Sequence, residues 1–336
     1  LAKQSKKYNM DEKQLSALAA RPLLKPGFRP SSIKGHIPAF RQLREDHQYT
    51  GPVDVRIPGC PPFTMYCDGD DNVAQTFFFY GDGAYETISM ILFAQLARRT
   101  GHVLDIGGHT GVFSLSAARS NPACKVHYFD IVPAVKERAE VNVRISGLQN
   151  SIRINLCGMS STCGVMDAHV NVNQALWTGA SLESLPERVH QKGAQVEKVA
   201  VTTIDQYWKE NGHPKVGLIK LDVENHELEV FKGGQKMLSE QLPFMLCEVL
   251  SARQFGDFQE ALLALGYGAF YEIRDAELTL REVTEGLKYP NGSDYQFKEY
   301  HNILVARNKF SPHFFKYIAD ILSRSSLGLA KLNPAL

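Results

Sequence analysis

The sequence predicts an α/β fold, a mostly parallel sheet with helices on both faces, and three observations predict it. Short apolar runs recur at Val103–Ile106, Val126–Asp130, Ile152–Leu156, Leu218–Asp222 and Phe244–Glu248, the length of strands buried on both faces and too short for helices. Helix-like segments alternate with them. The first run leads through Asp105-Ile106-Gly107-Gly108-His109-Thr110-Gly111 into a helix-like stretch, Val112 to Arg119, which reads as strand, glycine turn and helix.

The individual elements follow in order. Residues 1–48 carry Pro22, Pro26, Pro30 and Pro38, which break any long helix, so an extended arm with one helix from Asp11 to Ala20 is expected. Val53-Asp54-Val55-Arg56-Ile57 and Phe63-Thr64-Met65-Tyr66-Cys67 flank the turn-forming Pro58-Gly59-Cys60-Pro61-Pro62, the pattern of a β-hairpin capping the core. From Glu86 to Ala97 the spacing of Ile88, Ile91, Leu92 and Leu96 predicts an amphipathic helix. Pro133 suits the first turn of a helix running to Ser146, with Gly147 just past its end. Residues 157–204 interrupt the alternation with a polar segment around Trp177-Thr178-Gly179-Ala180-Ser181, the kind of insertion that becomes a binding loop or lid. Phe270–Arg274 and Asn302–Arg307 are expected to close the sheet as a C-terminal antiparallel pair. Phe314, Tyr317, Ile318 and Ile321 then form a helical stripe suited to docking on the chain's own domain. The organisation is therefore an arm and hairpin cap over 1–80, a core domain over 81–308 with the insertion 157–204, and a helical tail over 309–336.

Composition narrows the function classes. A chain of 336 residues, 44% of them hydrophobic, builds a substantial core. With 37 basic against 36 acidic residues it has no overall field of the kind that draws nucleic acid, so a nucleic-acid partner is disfavoured. Residues 1–48 alone hold ten Lys and Arg against four Asp and Glu, which reads first as a solvated extension and second as an arm for an anionic partner. Six cysteines without a C-x-x-C pair point to a reducing, cytoplasmic setting. No run of apolar residues is long enough to span a membrane.

The glycine turn suits a nucleotide-like cofactor, because it brings backbone N–H groups close to a ligand at a helix N-terminus. The nicotinamide and flavin fingerprint requires glycine where His109 stands. Asp105, two residues before the first glycine, instead suits the cationic sulfonium and amino groups of S-adenosylmethionine. Asp105, Asp130, Asp222 and Glu248 all fall at the carboxyl ends of predicted strands, where ligands bind in open α/β sheets. Taken singly, such acids also serve as helix caps.

These features, together with Tyr85-Glu86, Phe129-Asp130 followed by Pro133, Asn142, Thr203-Ile204-Asp205, the Ile219-Lys220-Leu221-Asp222-Val223-Glu224-Asn225-His226-Glu227 element and Asn302-Ile303-Leu304, resemble the FkbM-type family of S-adenosylmethionine-dependent methyltransferases. The resemblance spans about residues 80–307. It implies a class I methyltransferase (Rossmann-like) fold and O-methylation of a sugar, glycoside or other hydroxylated natural product. Two positions depart from the family pattern: Asn225 stands at a usual glycine, and His109 at a customary asparagine. Asparagine is the non-glycine residue best suited to a left-handed backbone.

The resemblance implies that Glu86 and Asp105 flank the methionine portion of the cofactor and that Gly107, Gly108, His109 and Gly111 form its turn. Asp130 would accept from the ribose hydroxyls, with Asn142 and Asp222 completing the cofactor set. Transfer to an alcohol calls for a base, and Asp222, Glu224, His226 and Glu248 are the candidates, Asp222 first. Plainer readings make Glu227 a first-turn acid, His226 a surface helix residue and Glu224 a brace toward Lys220. The carboxylates could also hold Mg²⁺, though no metal is required. Three alternatives stay open: a nicotinamide oxidoreductase, opposed by His109; a cofactor-binding scaffold without turnover; and a methyltransferase acting on RNA or protein. A homo-oligomer is compatible with all of these.

Overall fold

The computed structural model describes residues 11–21, 37–171, 173, 176, 179–183, 192–284 and 301–325, except 83, 172, 251, 276 and 277. Trp177, Thr178 and most of the basic arm, singled out above, lie outside the described residues. Eight strands form the central sheet in the order β12-β11-β13-β10-β9-β3-β4-β5. They are β3 (His102–Ile106), β4 (Lys125–Asp130), β5 (Ile152–Leu156), β9 (Val216–Leu221), β10 (Phe244–Val249), β11 (Ala269–Arg274), β12 (Thr279–Glu282) and β13 (His301–Ala306). The five strands from β5 to β10 are parallel, and β13 runs antiparallel between β10 and β11. This is the α/β sheet expected, mostly parallel, with the antiparallel strand β13 inserted toward an edge.

The topology itself positions the site. From β3 the chain moves outward through β4 to β5, then returns to the other side of β3 to build β9 and β10. The turn of direction opens a crevice between the carboxyl ends of β3 and β9, where such sheets place ligands. Gly107 follows β3 and Asp222 follows β9, so the two meet there.

Apolar side chains pack both faces. One cluster joins the helix Thr87–Ala97, the helix Val112–Ser120, the hairpin and the tail; the other lies under Ile204–Glu210, Glu227–Gly233 and Ala252–Ala264. The hairpin pairs β1 (Thr50–Val55) antiparallel with β2 (Phe63–Asp68), its Val53, Val55, Phe63 and Met65 buried. In the tail helix Pro312–Ser323, Ile318 and Leu322 are buried against the first cluster, each worth about 1.5–3 kcal/mol.

Several expectations are corrected. The helix Thr87–Ala97 is not amphipathic, since every one of its residues is buried. Its polar side chains find internal partners: Gln95 donates to Gly59 O (2.8 Å) and accepts from Tyr317 (2.9 Å), and Ser89 donates to Asp275 (2.6 Å). The N-terminal helix Glu12–Ala19 starts where Asp11 caps it, but the helices Ile37–Asp46 and Asn72–Tyr80 had no counterpart in the sequence reading. NVAQTFFFY is buried at every position after the first, its polar Gln75 and Thr76 included, and its start is defined by the Asp71 cap on Val73 and Ala74. The closing antiparallel pair gains a third member, β12, hydrogen-bonded to β11.

The insertion is a separate three-stranded sheet rather than a plain loop. Here β8 (Ala194–Thr202) lies between β6 (Gly158–Met159) and β7 (Gly164–Asn171). Both faces of much of the β7–β8 pair meet solvent, with Val165 and Val196 66% and 56% exposed, so the burial alternation that marks a strand is absent. No helix among the described residues is long and apolar enough to cross a membrane.

Candidate active site

The glycine turn is shaped by close approach. Gly107 has φ +78°, and a Cβ there would lie 1.7 Å from the carbonyl oxygen of Asp222. At Gly108 a Cβ would meet the Tyr128 ring at 2.4 Å. A side chain at Gly107 would push the ends of β3 and β9 apart, and one at Gly108 would displace the Tyr128 ring, so the close approach requires glycine. Gly111, φ +90°, opens the helix Val112–Ser120.

Asp105 beneath the turn is fully buried. Its Oδ2 accepts from the backbone N–H (2.9 Å) and hydroxyl (2.5 Å) of Ser114, while Oδ1 has no partner among the described residues. Burial pushes its carboxyl up to about 6, against the lowering effect of the Ser114 hydroxyl and Lys220. At the end of β4, Asp130 accepts from the backbone N–H groups of His109 (3.1 Å) and Val132 (2.9 Å). The acid thus braces the turn and keeps further lone pairs for a ligand.

Between β9 and β10 lies a charge network. Lys220 is buried and donates to Asp222 (2.9 Å) and, more weakly, to Asn302 (3.4 Å), with its ammonium 5.0 Å above the Phe113 ring. Burial works to lower the Lys220 pKa, but Asp222, Glu86 and Glu248 more than offset it, and the ammonium stays charged. Burial likewise works to raise Asp222, and Lys220 overrides it, so Asp222 is held below the usual carboxylate range. Glu248 moves the other way: burial, then the charges of Asp222 and Glu224, push it well above that range. Burial and the neighbouring charges thus favour the protonated form of Glu248 beside Asp222, to which it hydrogen-bonds, while its Oε2 has no hydrogen-bond partner among the described residues. Carboxylate oxygens of Asp222, Glu224 and Glu248 come within 4.8 Å of one another.

Glu86 reaches this network from the N-terminus of the helix Thr87–Ala97, where it adopts φ 39°. It accepts from Asn302 (2.8 Å), and burial raises its carboxyl to about 7 despite Lys220. Asp275, on the segment after β11, caps the same helix through Ile88 N (2.6 Å), Ser89 N (3.1 Å) and the Ser89 hydroxyl.

The predicted residues divide into those the fold gathers at the crevice and those it uses as struts. Glu86, Asp105, Gly107, Gly108, His109, Gly111, Asp130, Asp222, Glu224 and Glu248 belong to the first group. Asn142 is a strut: buried, it accepts from Tyr66 N (2.7 Å) and donates to Thr110 O (2.8 Å), tying the hairpin to the glycine turn. His226 is not a surface residue. It is buried, with Nδ1 on Glu183 (2.6 Å) and Nε2 on the Ser160 hydroxyl (2.9 Å), so both ring nitrogens bind the insertion. Glu227 is indeed in a first helical turn, but it is buried and accepts from Val223 N and Gln254. Glu224 and Asn225 both take left-handed conformations, φ 58° and 78°, and Ser181 donates to the Glu224 carbonyl (2.7 Å).

Lys220 and Asn302 were visible as motif residues but had been given no place in the site. Glu183, Ser160 and Asp275 carried no signal, because each acts through a partner distant in sequence, whereas Ser114 binds Asp105 from the first turn of the helix that follows the glycine turn.

The model of the methyltransferase FkbM domain matches residues 105–281, from the end of β3 to within β12 and over more than half of the chain. The chain belongs to the FkbM methyltransferase family. A curated relative, methyltransferase sdnD of Sordaria araneosa, is 24% identical over 153 residues, which cover 39% of this FkbM-family chain and 59% of that protein. The crystal structure of methyltransferase FkbM from Methylobacillus flagellatus aligns with a TM-score of 0.40 at 16% identity over 82% of this chain and 60% of that one. A methyltransferase of Agrobacterium tumefaciens aligns with 0.41 at 14% over 77% and 70%. The FkbM-family chain thus spans about three-fifths of the first two proteins.

Proposed function

We propose that this protein is an S-adenosylmethionine-dependent O-methyltransferase acting on a hydroxyl of a sugar, glycoside or other small natural product. The observation that supports it is the convergence, at the switch of strand order, of a glycine turn with Asp105, Asp130 and Asp222. A pyrophosphate would be repelled by this many acids, whereas a ligand with an ammonium, a sulfonium and a ribose diol is complemented by them. The buried, unpartnered Asp105 Oδ1 calls for a donor, and the cofactor has donors to offer.

Bound there, S-adenosylmethionine supplies a methyl group that is already strongly electrophilic. The chain's own residues then have to bind, orient and exclude water. Glu86 and Asp105 serve the methionine portion, the Gly107–Gly111 backbone permits close approach, and Asp130 accepts from the ribose hydroxyls. Asp222, ionised and fixed by Lys220, orients the acceptor hydroxyl. Lys220 already provides the countercharge for Asp222, so the reading requires no Mg²⁺.

Calorimetric titration with S-adenosylmethionine, with NAD as control, tests this. Micromolar binding of the methyl donor that is lost in Asp105→Asn, at unchanged fold by circular dichroism, is expected. Tighter binding of NAD, or no binding of the methyl donor at millimolar concentration, would sink the reading. Binding without methyl transfer to any hydroxylated acceptor would leave a scaffold role.

A further inference from the structure

His109 occupies the centre of the glycine turn, and its surroundings define its chemistry. The backbone is clamped on both sides: its N–H donates to Asp130 (3.1 Å) and its carbonyl accepts from the Tyr128 hydroxyl (2.5 Å). Its ring Nε2 lies 3.2 Å from the carbonyl oxygen of Leu176, in the insertion. A carbonyl can only accept, so Nε2 carries the hydrogen, and in the neutral ring Nδ1 must bear the lone pair. Nδ1 is out of solvent and has no hydrogen-bond partner among the described residues. The imidazole also lies close enough to Asp130 and Asp222 for a positive charge on it to favour both carboxylates.

The other candidate bases are committed elsewhere. Asp222 is bound by Lys220 and Glu248, and a carboxylate held low is a weak base. Burial and the charge of Asp222 raise Glu248 and favour its protonated form. His226 uses both nitrogens on Ser160 and Glu183. Glu86, Asp105 and Asp130 are assigned to the cofactor above; of the two titratable side chains left in the predicted set, Glu224 and His109, His109 presents a buried lone pair in a tautomer set by a backbone carbonyl.

We propose that His109 Nδ1 is the general base that takes the proton of the acceptor hydroxyl. This rests on the methyltransferase reading above. The acceptor oxygen forms its bond to the methyl carbon as the carbon–sulfur bond breaks, with that electron pair remaining on sulfur. The hydroxyl proton passes to Nδ1, and the imidazolium is stabilised by Asp130 and Asp222. Leu176 positions the ring, so the insertion would report to the chemistry through this hydrogen bond.

The test uses the full-length chain with ¹⁵N-labelled histidine, alongside His109→Asn and Glu224→Gln. NMR is expected to show a His109 signal, absent from His109→Asn, whose Nδ1 is of the unprotonated type and whose Nε2 is protonated. S-adenosylmethionine affinity by calorimetry should change less than about threefold in His109→Asn. Methyl transfer from the labelled donor to a panel of methyl glycosides should fall about 10²–10⁴-fold in that variant, with loss of the acid limb of the kcat profile. A protonated Nδ1, a large loss of cofactor affinity in His109→Asn, or an acid limb that survives in His109→Asn and disappears in Glu224→Gln would overturn the proposal. If no glycoside is methylated, the tautomer and the cofactor affinity decide it. Failure of the wild-type chain to bind the methyl donor would instead overturn the underlying methyltransferase reading.

Discussion

Gly107 and Glu227 show how much a single position can depend on its neighbours. A methyl group at Gly107 would fall inside the backbone of Asp222, and the positive φ adds strain. Gly107→Ala is therefore expected to cost about 1–3 kcal/mol or more and to weaken cofactor binding, seen as a lower Tm and a weaker calorimetric isotherm. Glu227 has its carboxyl raised from 4.5 to about 8, by burial first, against the backbone N–H groups that favour its charge. An acid raised on folding contributes stability that is fully present below its unfolded pKa and is lost as pH rises through the folded value. The folded protein should thus lose Tm between about pH 4.5 and 8, and Glu227→Gln, which imitates the protonated acid, should flatten that decline. An equally steep slope in the variant would assign it to other groups, of which Glu86, raised to about 7, is the first to examine.

Among the elements, the helix Thr87–Ala97 departs furthest from its sequence pattern. Its apolar positions predicted one buried stripe, but the hairpin, the tail helix and the sheet enclose it on every side, and its polar residues bind those neighbours. Its N-terminus is capped by Asp275, 187 residues away in sequence. Asp275→Ala should cost about 0.5–2 kcal/mol as the loss of a helix cap. It should also loosen Glu86, the residue just before the helix, so that cofactor affinity falls together with Tm. A drop in stability with affinity unchanged would show that Glu86 is held without help from the Asp275 cap. In the insertion, the reverse error had a plain cause: β7 and β8 are exposed on both faces and lack the alternation by which strands are read.

At the scale of the whole molecule, contacts among the described residues tie the insertion to the crevice. Leu176 meets His109, Ser181 holds the Glu224 carbonyl, and Glu183 and Ser160 enclose His226. These contacts hold the insertion against the crevice. His226→Ala is expected to leave the sheet's hydrogen-exchange protection intact while residues 157–204 become faster to exchange and to be cleaved by protease. Uniform loss of protection throughout the chain would instead make His226 a residue of global stability.

The sequence by itself determined the α/β class, the glycine turn, the acids at the strand ends and the family, because each is written in local spacing or in a continuous motif. Lys220, Asp222 and Glu227 were all within one such motif, yet the motif did not say which acid would be ionised. Only the tertiary structure decided that Asp222 lies below and Glu248 above the ordinary carboxylate range, since desolvation and a single shared ammonium depend on what packs around them. It also decided that His226 is buried and that His109 has one nitrogen committed to Leu176. Those outcomes depend on a segment tens of residues away folding back over the crevice, and no local pattern in the chain records that contact.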